Sequence, residues 1–329
     1  MSNIALIGCG SWGKNIARVL KSLDSLYSIT DTDQLATQNL SYKYNVCVKD
    51  FKDVLSDPLV DGVVIATSAT THFELACKVI NSGKHVFVEK PMTICENDAE
   101  KLNNLANKKK RILMIGHLMH YHPIYRKIKA LISTDYLGQL KYLYSNRLSL
   151  GRIRSEENVL WSLAPHDVSM ILDLVNEFPT SVEATGVGFL SGENLDSAII
   201  NLGFGEVLGA HVHVSWANPF KEQRLVIVGD KGMLVFDDCE SSWQKKLVFY
   251  EHKYHVEKNG IPMFNKASPV FIEVKREEPL YAEIKHFIDC IKDNVEPISN
   301  GEEAFSVVKV LALADKSISK ARHYSVDAT

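Results

Sequence analysis

The sequence predicts an α/β protein: an N-terminal Rossmann domain with a doubly wound parallel sheet, then an α+β domain with a large, mostly antiparallel open sheet. Three observations predict it. The chain begins with an apolar run, Ile4 to Ile7, that ends in glycines at 8, 10 and 13. Short apolar runs then alternate with helical patterns as far as Ile115. From Gln139 the pattern changes to long runs of period two. At 329 residues the chain has room for two domains, placed at 1–120 and 121–329.

Ile4 to Ile7 has the continuous apolar character of a buried parallel strand. A helical pattern carrying Ile16, Val19, Leu20 and Leu23 on one side follows the glycines. Strand, Gly8-x-Gly10-x-x-Gly13 and helix in that order read as a dinucleotide-binding turn; the alternative is an ordinary turn, with Asp31 a solvated loop acid. Gly8 permits the tight turn, Gly10 lets a pyrophosphate approach the backbone, and Gly13 lets the helix pack on the strand. The helix N-terminus offers free N–H groups to the phosphates. Leu26 to Thr30 is the second strand, and Asp31 closes it. A carboxylate there accepts hydrogen bonds from ribose hydroxyls and repels a 2′-phosphate. Thr32 and Asp33 follow with no Arg or Lys beside them, so the cofactor expected is NAD rather than NADP.

The next strands are Val46 to Val48, Val63 to Ala66, His85 to Val88 and Ile112 to Ile115. Helical patterns lie between them, around Asp50 to Leu55, Phe73 to Ile80 and Asn97 to Lys109. This alternation means a parallel sheet covered on both faces, whose ligands sit at the carboxyl ends of the strands. Gly8, Asp31, Thr67, Glu89 and Gly116 all fall at such ends. Lys90 sits at the same lip, as a surface charge or a functional one.

Composition narrows the function classes. A net charge of −3 gives no electrostatic reason to expect nucleic acid or an anionic membrane. The basic run Lys108 to Arg111 falls where a helix should end, and cations suit that dipole. No stretch approaches the ~20 apolar residues of a membrane span, and no secretory signal pattern is present. Six scattered cysteines without a C-x-x-C pair fit reduced thiols and a cytoplasmic protein.

Several motifs together resemble one family. Gly-x-Gly-x-Trp-Gly at 8–13, Ala66-Thr67 with His72, Glu-Lys-Pro at 89–91 and Pro165-His166-Asp167 are similar to the glucose–fructose oxidoreductase / inositol dehydrogenase / MocA (Gfo/Idh/MocA) family. The resemblance covers essentially the whole chain. It implies cofactor contacts from Gly8, Gly10, Ser11, Trp12, Gly13, Asp31, Thr67, His72, Glu89 and Lys90. It also implies that Lys90 lies between nicotinamide and substrate and bonds the hydroxyl being oxidised, and that His166 is the acid–base group.

His166 is expected at the start of a helix that Ala164-Pro165 opens, where the dipole keeps an imidazole available as a base; the alternative is a capping histidine. Many members of the family carry Asp four residues earlier, where this chain has Ser162. Asp167 should point about 100° away around the helix. The orientation of His166 is thus left open.

His117, His120 and His122 crowd together past the sixth strand, but no acid or Cys accompanies them. No metal is expected there; a place lining the substrate pocket is, with His122 as the substrate contact. Beyond Leu137-Gly138, strands are expected at 140–150, 181–190, 197–204, 207–216, 224–228, 233–236 and 247–250. His211 and His213 fall on the less apolar face of one of them and are read as structural. The open face of this sheet is the expected interface of a homodimer or homotetramer, as the resemblance also implies. Two closing helices, 280–291 and 302–318, pack back near the first domain in the family.

Arg147, Arg152 and Arg154 lie just upstream of the His166 helix. Guanidinium forks suit phosphate or carboxylate, and the alternative is a solvated strand edge. With the run at 158–167, the cluster resembles the branch of the family acting on UDP-linked N-acetylated sugars or their uronates, which oxidises the 3-hydroxyl. A small-molecule nucleotide sugar is therefore the expected partner. Oxidation of a free polyol or aldose and a non-catalytic NAD sensor are the alternatives.

Overall fold

The computed structural model describes residues 2–151, 153, 157–190, 194–257, 260–265 and 267–323. The chain divides into two units, residues 1–121 with 277–309 and residues 122–276 with the chain from Val310 on. A single cut at 120/121 therefore misses one segment: Glu277–Lys309 clusters with the N-terminal unit.

In the first unit, β1 (Ile4–Ile7) is buried along its whole length. Strands β2 (Leu26–Thr30), β3 (Cys47–Val48), β4 (Gly62–Ile65), β5 (His85–Val88) and β6 (Leu113–Ile115) join it in one parallel sheet. The order is β3-β2-β1-β4-β5-β6. Order reverses between β2-β1 and β4, the topological switch at which such sheets bind ligands. The connecting helices are α1 (Gly13–Ser22), α2 (Gln34–Tyr44), α3 (Phe51–Ser56), α4 (Ala69–Asn81) and α5 (Glu96–Lys109). Asp33 caps α2 through the N–H groups of Leu35 and Ala36, satisfying donors that a helix start leaves open. Ile16, Val19 and Leu20 on α1 are fully buried against the β1 side of the core.

The second unit begins with α6 (Pro123–Ser133), β7 (Leu140–Leu150) and α7 (Val159–Val175). Then come β8 (Ser181–Val187), β9 (Ser197–Phe204), β10 (Leu208–Ser215), β11 (Ala217–Gly229), β12 (Gly232–Asp237), β13 (Leu247–Glu251), β14 (Lys253–Val256), β15 (Pro262–Asn265) and β16 (Val270–Phe271). Eight of these strands form one sheet, ordered β16-β13-β12-β11-β7-β10-β9-β8. It is antiparallel except for the β7–β10 pair. The expected second sheet is present, with β11 longer than its apolar stretch and β14 to β16 added. On β10, Ala210, Val212 and Val214 face the core, while His211 and His213 lie on the half-exposed side. Helices α8 (Pro279–Asp293) and α9 (Gly301–His323) close the described chain.

Helix α7 corrects one expectation. It opens at Val159, not at Ala164, and Pro165 lies inside it. Asn158 is the cap, its side chain accepting the Trp161 N–H at 3.3 Å. An interior proline costs about 3 kcal/mol or more. Val159, Leu160 and Trp161 are all buried, and burying each side chain contributes about 1.5–3 kcal/mol. Burial outweighs the lost hydrogen bond, so the helix extends back past the proline.

Candidate functional site

At the carboxyl edge of the first sheet, the turn after β1 is shaped by close backbone approach. Gly8 has φ +99°, and a Cβ there would meet the Ala66 carbonyl oxygen at 2.5 Å. A Cβ on Gly13 would meet the Gly8 carbonyl oxygen at 1.9 Å. Gly10 is different: among the described residues nothing lies within 4 Å of its Cβ position. The turn is packed from within at 8 and 13 and open at 10, as a backbone cradle for a pyrophosphate requires. Among the described residues no side chain caps the start of α1, and Ser11 beside it is exposed. This geometry fits a dinucleotide.

Asp31 follows β2. One carboxylate oxygen accepts the Cys9 N–H at 2.5 Å, and the other accepts the Asp33 N–H at 2.9 Å. Those bonds tie the acid to the glycine turn while leaving it half-exposed. After β5, Glu89 accepts the Trp12 indole N–H at 2.5 Å and the Lys90 backbone N–H at 3.3 Å. Burial pushes the Glu89 carboxyl up to about 7, against the opposing pull of the Trp12 N–H and the Lys90 charge. Gly116, after β6, leaves space for this side chain: a Cβ there would lie 2.9 Å from a Glu89 oxygen.

Lys90 is half-buried at this edge, and the Lys90–Pro91 bond is cis. His72 is 1% exposed, with Nδ1 2.8 Å from the Pro91 carbonyl and Nε2 3.2 Å from the Thr67 carbonyl. It braces the loop after β5 against the loop after β4. The Thr67 hydroxyl pairs with that of Thr71 at 2.7 Å.

In the second unit, His166 lies inside α7, half-buried, with Ser162 one turn before it on the same face. The dipole argument that rested on a helix start at Ala164 therefore lapses. Asp167 is 1% exposed and receives three hydrogen bonds. Arg147 Nε donates at 2.6 Å, Arg147 Nη2 at 3.2 Å and Ser145 Oγ at 2.6 Å. The guanidinium fork read as an anion contact is thus engaged by an internal carboxylate. Arg152 and Arg154 lie outside the described residues.

His122 caps α6, its Nδ1 accepting the Ile124 N–H at 3.2 Å. Its ring packs on Phe236 and Trp243, and burial lowers its pKa to about 4. The imidazole is neutral and buried, with one nitrogen committed to the cap. His211 stacks on Tyr144 and pairs with the Tyr142 hydroxyl, and His213 meets Ser197 at 3.2 Å.

A family model described as an oxidoreductase family with an NAD-binding Rossmann fold matches residues 2–117. A second, the GFO/IDH/MocA C-terminal domain, matches residues 125–235, so the two cover more than half of the chain. The chain belongs to the Gfo/Idh/MocA oxidoreductase family. It is an NAD-binding oxidoreductase. The myo-inositol 2-dehydrogenase of Thermotoga maritima is 25% identical over 98% of this chain and 98% of that protein. The UDP-N-acetylglucosamine 3-dehydrogenase of Acidithiobacillus ferrooxidans is 25% identical over 87% of each. The solved structure of UDP-N-acetylglucosamine 3-dehydrogenase GnnA from Acidithiobacillus ferrooxidans has a TM-score of 0.85, covering 97% of each chain at 22% identity. At that identity the likeness speaks for the fold.

Two acids of this oxidoreductase escaped the reading of its sequence. Glu283 on α8 is fully buried, and neither of its oxygens has a hydrogen-bond partner among the described residues. Burial first, and the charge of Glu89 second, raise its pKa well above the usual range. The signal was present: Leu280, Glu283, Ile284 and Phe287 follow the i, i+3, i+4, i+7 stripe, so an acid sits on a core face. Glu303, in the first turn of α9, meets His117 Nδ1 at 2.7 Å. Burial opposes its ionisation, but His117 and His120 hold its pKa down to about 2. Nothing near Glu303 in the sequence announces that contact.

Proposed function

We propose that this oxidoreductase oxidises a secondary hydroxyl of a sugar to a ketone, with Lys90 and His166 handling the hydroxyl proton. The observation that carries the reading is Lys90 at the sheet edge that also holds the open Gly10 turn and Asp31. NAD supplies the hydride acceptor when bound. The chain's own part is to hold the dinucleotide by the turn, to accept ribose hydroxyl bonds at Asp31, and to take up the proton as the carbonyl forms. Contact of Ser11, Trp12, Thr67 and Glu89 with the cofactor belongs to this proposal. For His72 the supported role is bracing the Lys90 loop, through the Pro91 carbonyl.

The substrate reading is the 3-hydroxyl of a UDP-N-acetylated hexosamine or its uronate. Its support is the motif resemblance and the relative from Acidithiobacillus ferrooxidans that carries that activity in its name. A second reading, a free inositol-type polyol, is favoured by one observation: Arg147 is paired internally, which removes one cation from the anion-binding case. Its namesake is the relative from Thermotoga maritima. Assembly through the outer face of the eight-stranded sheet is also proposed, since Tyr142, Leu150, Val187 and Ile199 are exposed. No helix among the described residues is long and apolar enough to cross a membrane. The six free cysteines support a cytoplasmic location.

The test is incubation with NAD and a panel of UDP-sugars, UDP-uronates, inositols and free aldoses, reading NADH and the keto product. A keto UDP-sugar is the expected product. Turnover confined to inositols selects the second reading, and no NADH with any member removes both. Lys90→Met and His166→Asn are expected to cost about 10²–10⁴-fold each in turnover, with NAD binding retained. Native rates in both variants would take the proton-transfer role away from these residues.

A further inference from the structure

The acid missing from the histidine-rich segment in sequence is supplied by α9. Past β6, the His117 N–H donates to the Ile115 carbonyl at 2.7 Å and the His120 N–H to the His117 carbonyl at 3.0 Å. The turn is of 3₁₀ type over Leu118–Tyr121. In such a turn, side chains at i and i+3 eclipse. The rings of His117 and His120 accordingly stack, with centroids 6.1 Å apart and 23° between planes. Glu303 faces them from the first turn of α9, where its N–H is held by the Asn300 side chain at 2.9 Å. His117 Nδ1 lies 2.7 Å from one Glu303 oxygen, and His120 Nε2 lies 3.5 Å from the other. The side chains are 1%, 1% and 18% exposed. The three ligand atoms all lie within 4.8 Å of one another.

We propose that His117, His120 and Glu303 form a binding site for a divalent transition-metal ion of the zinc type. Two imidazoles and a carboxylate are a nitrogen–oxygen donor set that suits zinc. Zinc bonds such atoms at about 2.0–2.2 Å, which places them roughly 3.3–3.5 Å apart around a tetrahedron. The observed separations bracket that range. The ion would replace the proton between His117 and Glu303 and join the end of β6 to the start of α9. His122 takes no part, since its Nδ1 is committed to the cap of α6.

The experiment uses the full chain without a histidine tag, stripped with a chelator and titrated with Zn²⁺ by calorimetry and with Co²⁺ by absorption spectroscopy. One zinc ion per chain is expected. Cobalt should give ligand-field bands without a thiolate charge-transfer band. His120→Gln and Glu303→Gln should each weaken zinc binding by at least about 10–100-fold, the loss that removing even an outer-shell partner causes. No zinc uptake by the native chain would overturn the proposal, as would a thiolate band or native zinc affinity in both variants. A thiolate band would move the ion to an exposed cysteine such as Cys47, Cys95 or Cys239. If neither variant folds, the cobalt spectrum of the native chain decides alone.

Discussion

The turn after β1 and the contact between α7 and β7 are both organised around one crowded point, but of different material. In the first, a backbone oxygen occupies the place of a missing side chain: the Gly8 carbonyl fills the Cβ position of Gly13. In the second, side chains meet in the interior, with Arg147 and Ser145 converging on Asp167. A backbone-built turn is sensitive to adding atoms. A side-chain-built one is sensitive to removing them, because each removal leaves a buried polar group without its partner.

The largest expected effect breaks the second kind. Arg147→Met leaves the Asp167 carboxylate buried with Ser145 as its remaining donor of the three. The expected loss is about 3–5 kcal/mol of stability, read as a lower melting temperature and denaturant midpoint. The double variant Arg147→Met with Asp167→Leu removes both charges and should recover most of that loss, since an apolar pair of similar volume replaces an ion pair at little cost. A double variant as unstable as the single one would show that the pair's geometry, rather than its charge balance, holds α7.

Next come the glycines. Gly13→Ala drives a methyl group into the Gly8 carbonyl and should cost about 1–3 kcal/mol or more of stability. Gly10→Ala meets nothing within 4 Å among the described residues, so its melting temperature should stay native. Its NAD affinity should fall about tenfold, about 1.4 kcal/mol, because the methyl group takes up open space at the cradle. Equal effects on melting in the two variants would erase the distinction between the packed and the open side of the turn.

A comparable effect is expected at Asp31. NAD should bind at least about tenfold better than NADP, about 1.4 kcal/mol, and Asp31→Ala should narrow that gap in a direct titration. The carboxylate also holds the Cys9 and Asp33 N–H groups. Asp31→Asn, which keeps an acceptor, should therefore disturb the fold less than Asp31→Ala.

The smallest effect concerns pH. The Glu89 carboxyl titrates near 7 in the fold, above its ordinary value of 4.5. A raised native pKa means stability that is fully present below about 4.5 and lost as pH rises towards 7. Glu89→Gln cannot ionise and should gain on the native chain between pH 5 and pH 8. The gain should be on the order of 1 kcal/mol after allowing for solvent at a half-buried group. A constant difference in melting temperature across that range would contradict it.

Local pattern carried the reading of the first unit because the forces there are local. An apolar four-residue strand, a turn whose glycines make room for neighbouring backbone, and an acid at the next strand end are properties of adjacent residues. The same locality misled at α7. Proline is a familiar helix opener, so Ala164-Pro165 looked like a start, while the burial of Val159, Leu160 and Trp161 that overrides it belongs to tertiary packing.

By itself the sequence determined the strands of the first unit, the helices that follow β1, β3, β4 and β5, the glycine turn, the position of Asp31, and the long strands of the second sheet. Each follows from periodicity or from steric limits on neighbouring residues. Helix α2, which buries only Thr37 and Leu40, was not legible in the sequence. Tertiary structure decided which partners the charged groups take. It gave Asp167 to Arg147, Trp12 to Glu89, and Glu303 to His117 across 186 residues. It also placed Glu277–Lys309 with the first unit. The reason is physical: a buried charge is set by whichever opposite or hydrogen-bonding group packing brings within about 3 Å, and packing joins elements irrespective of their separation along the chain.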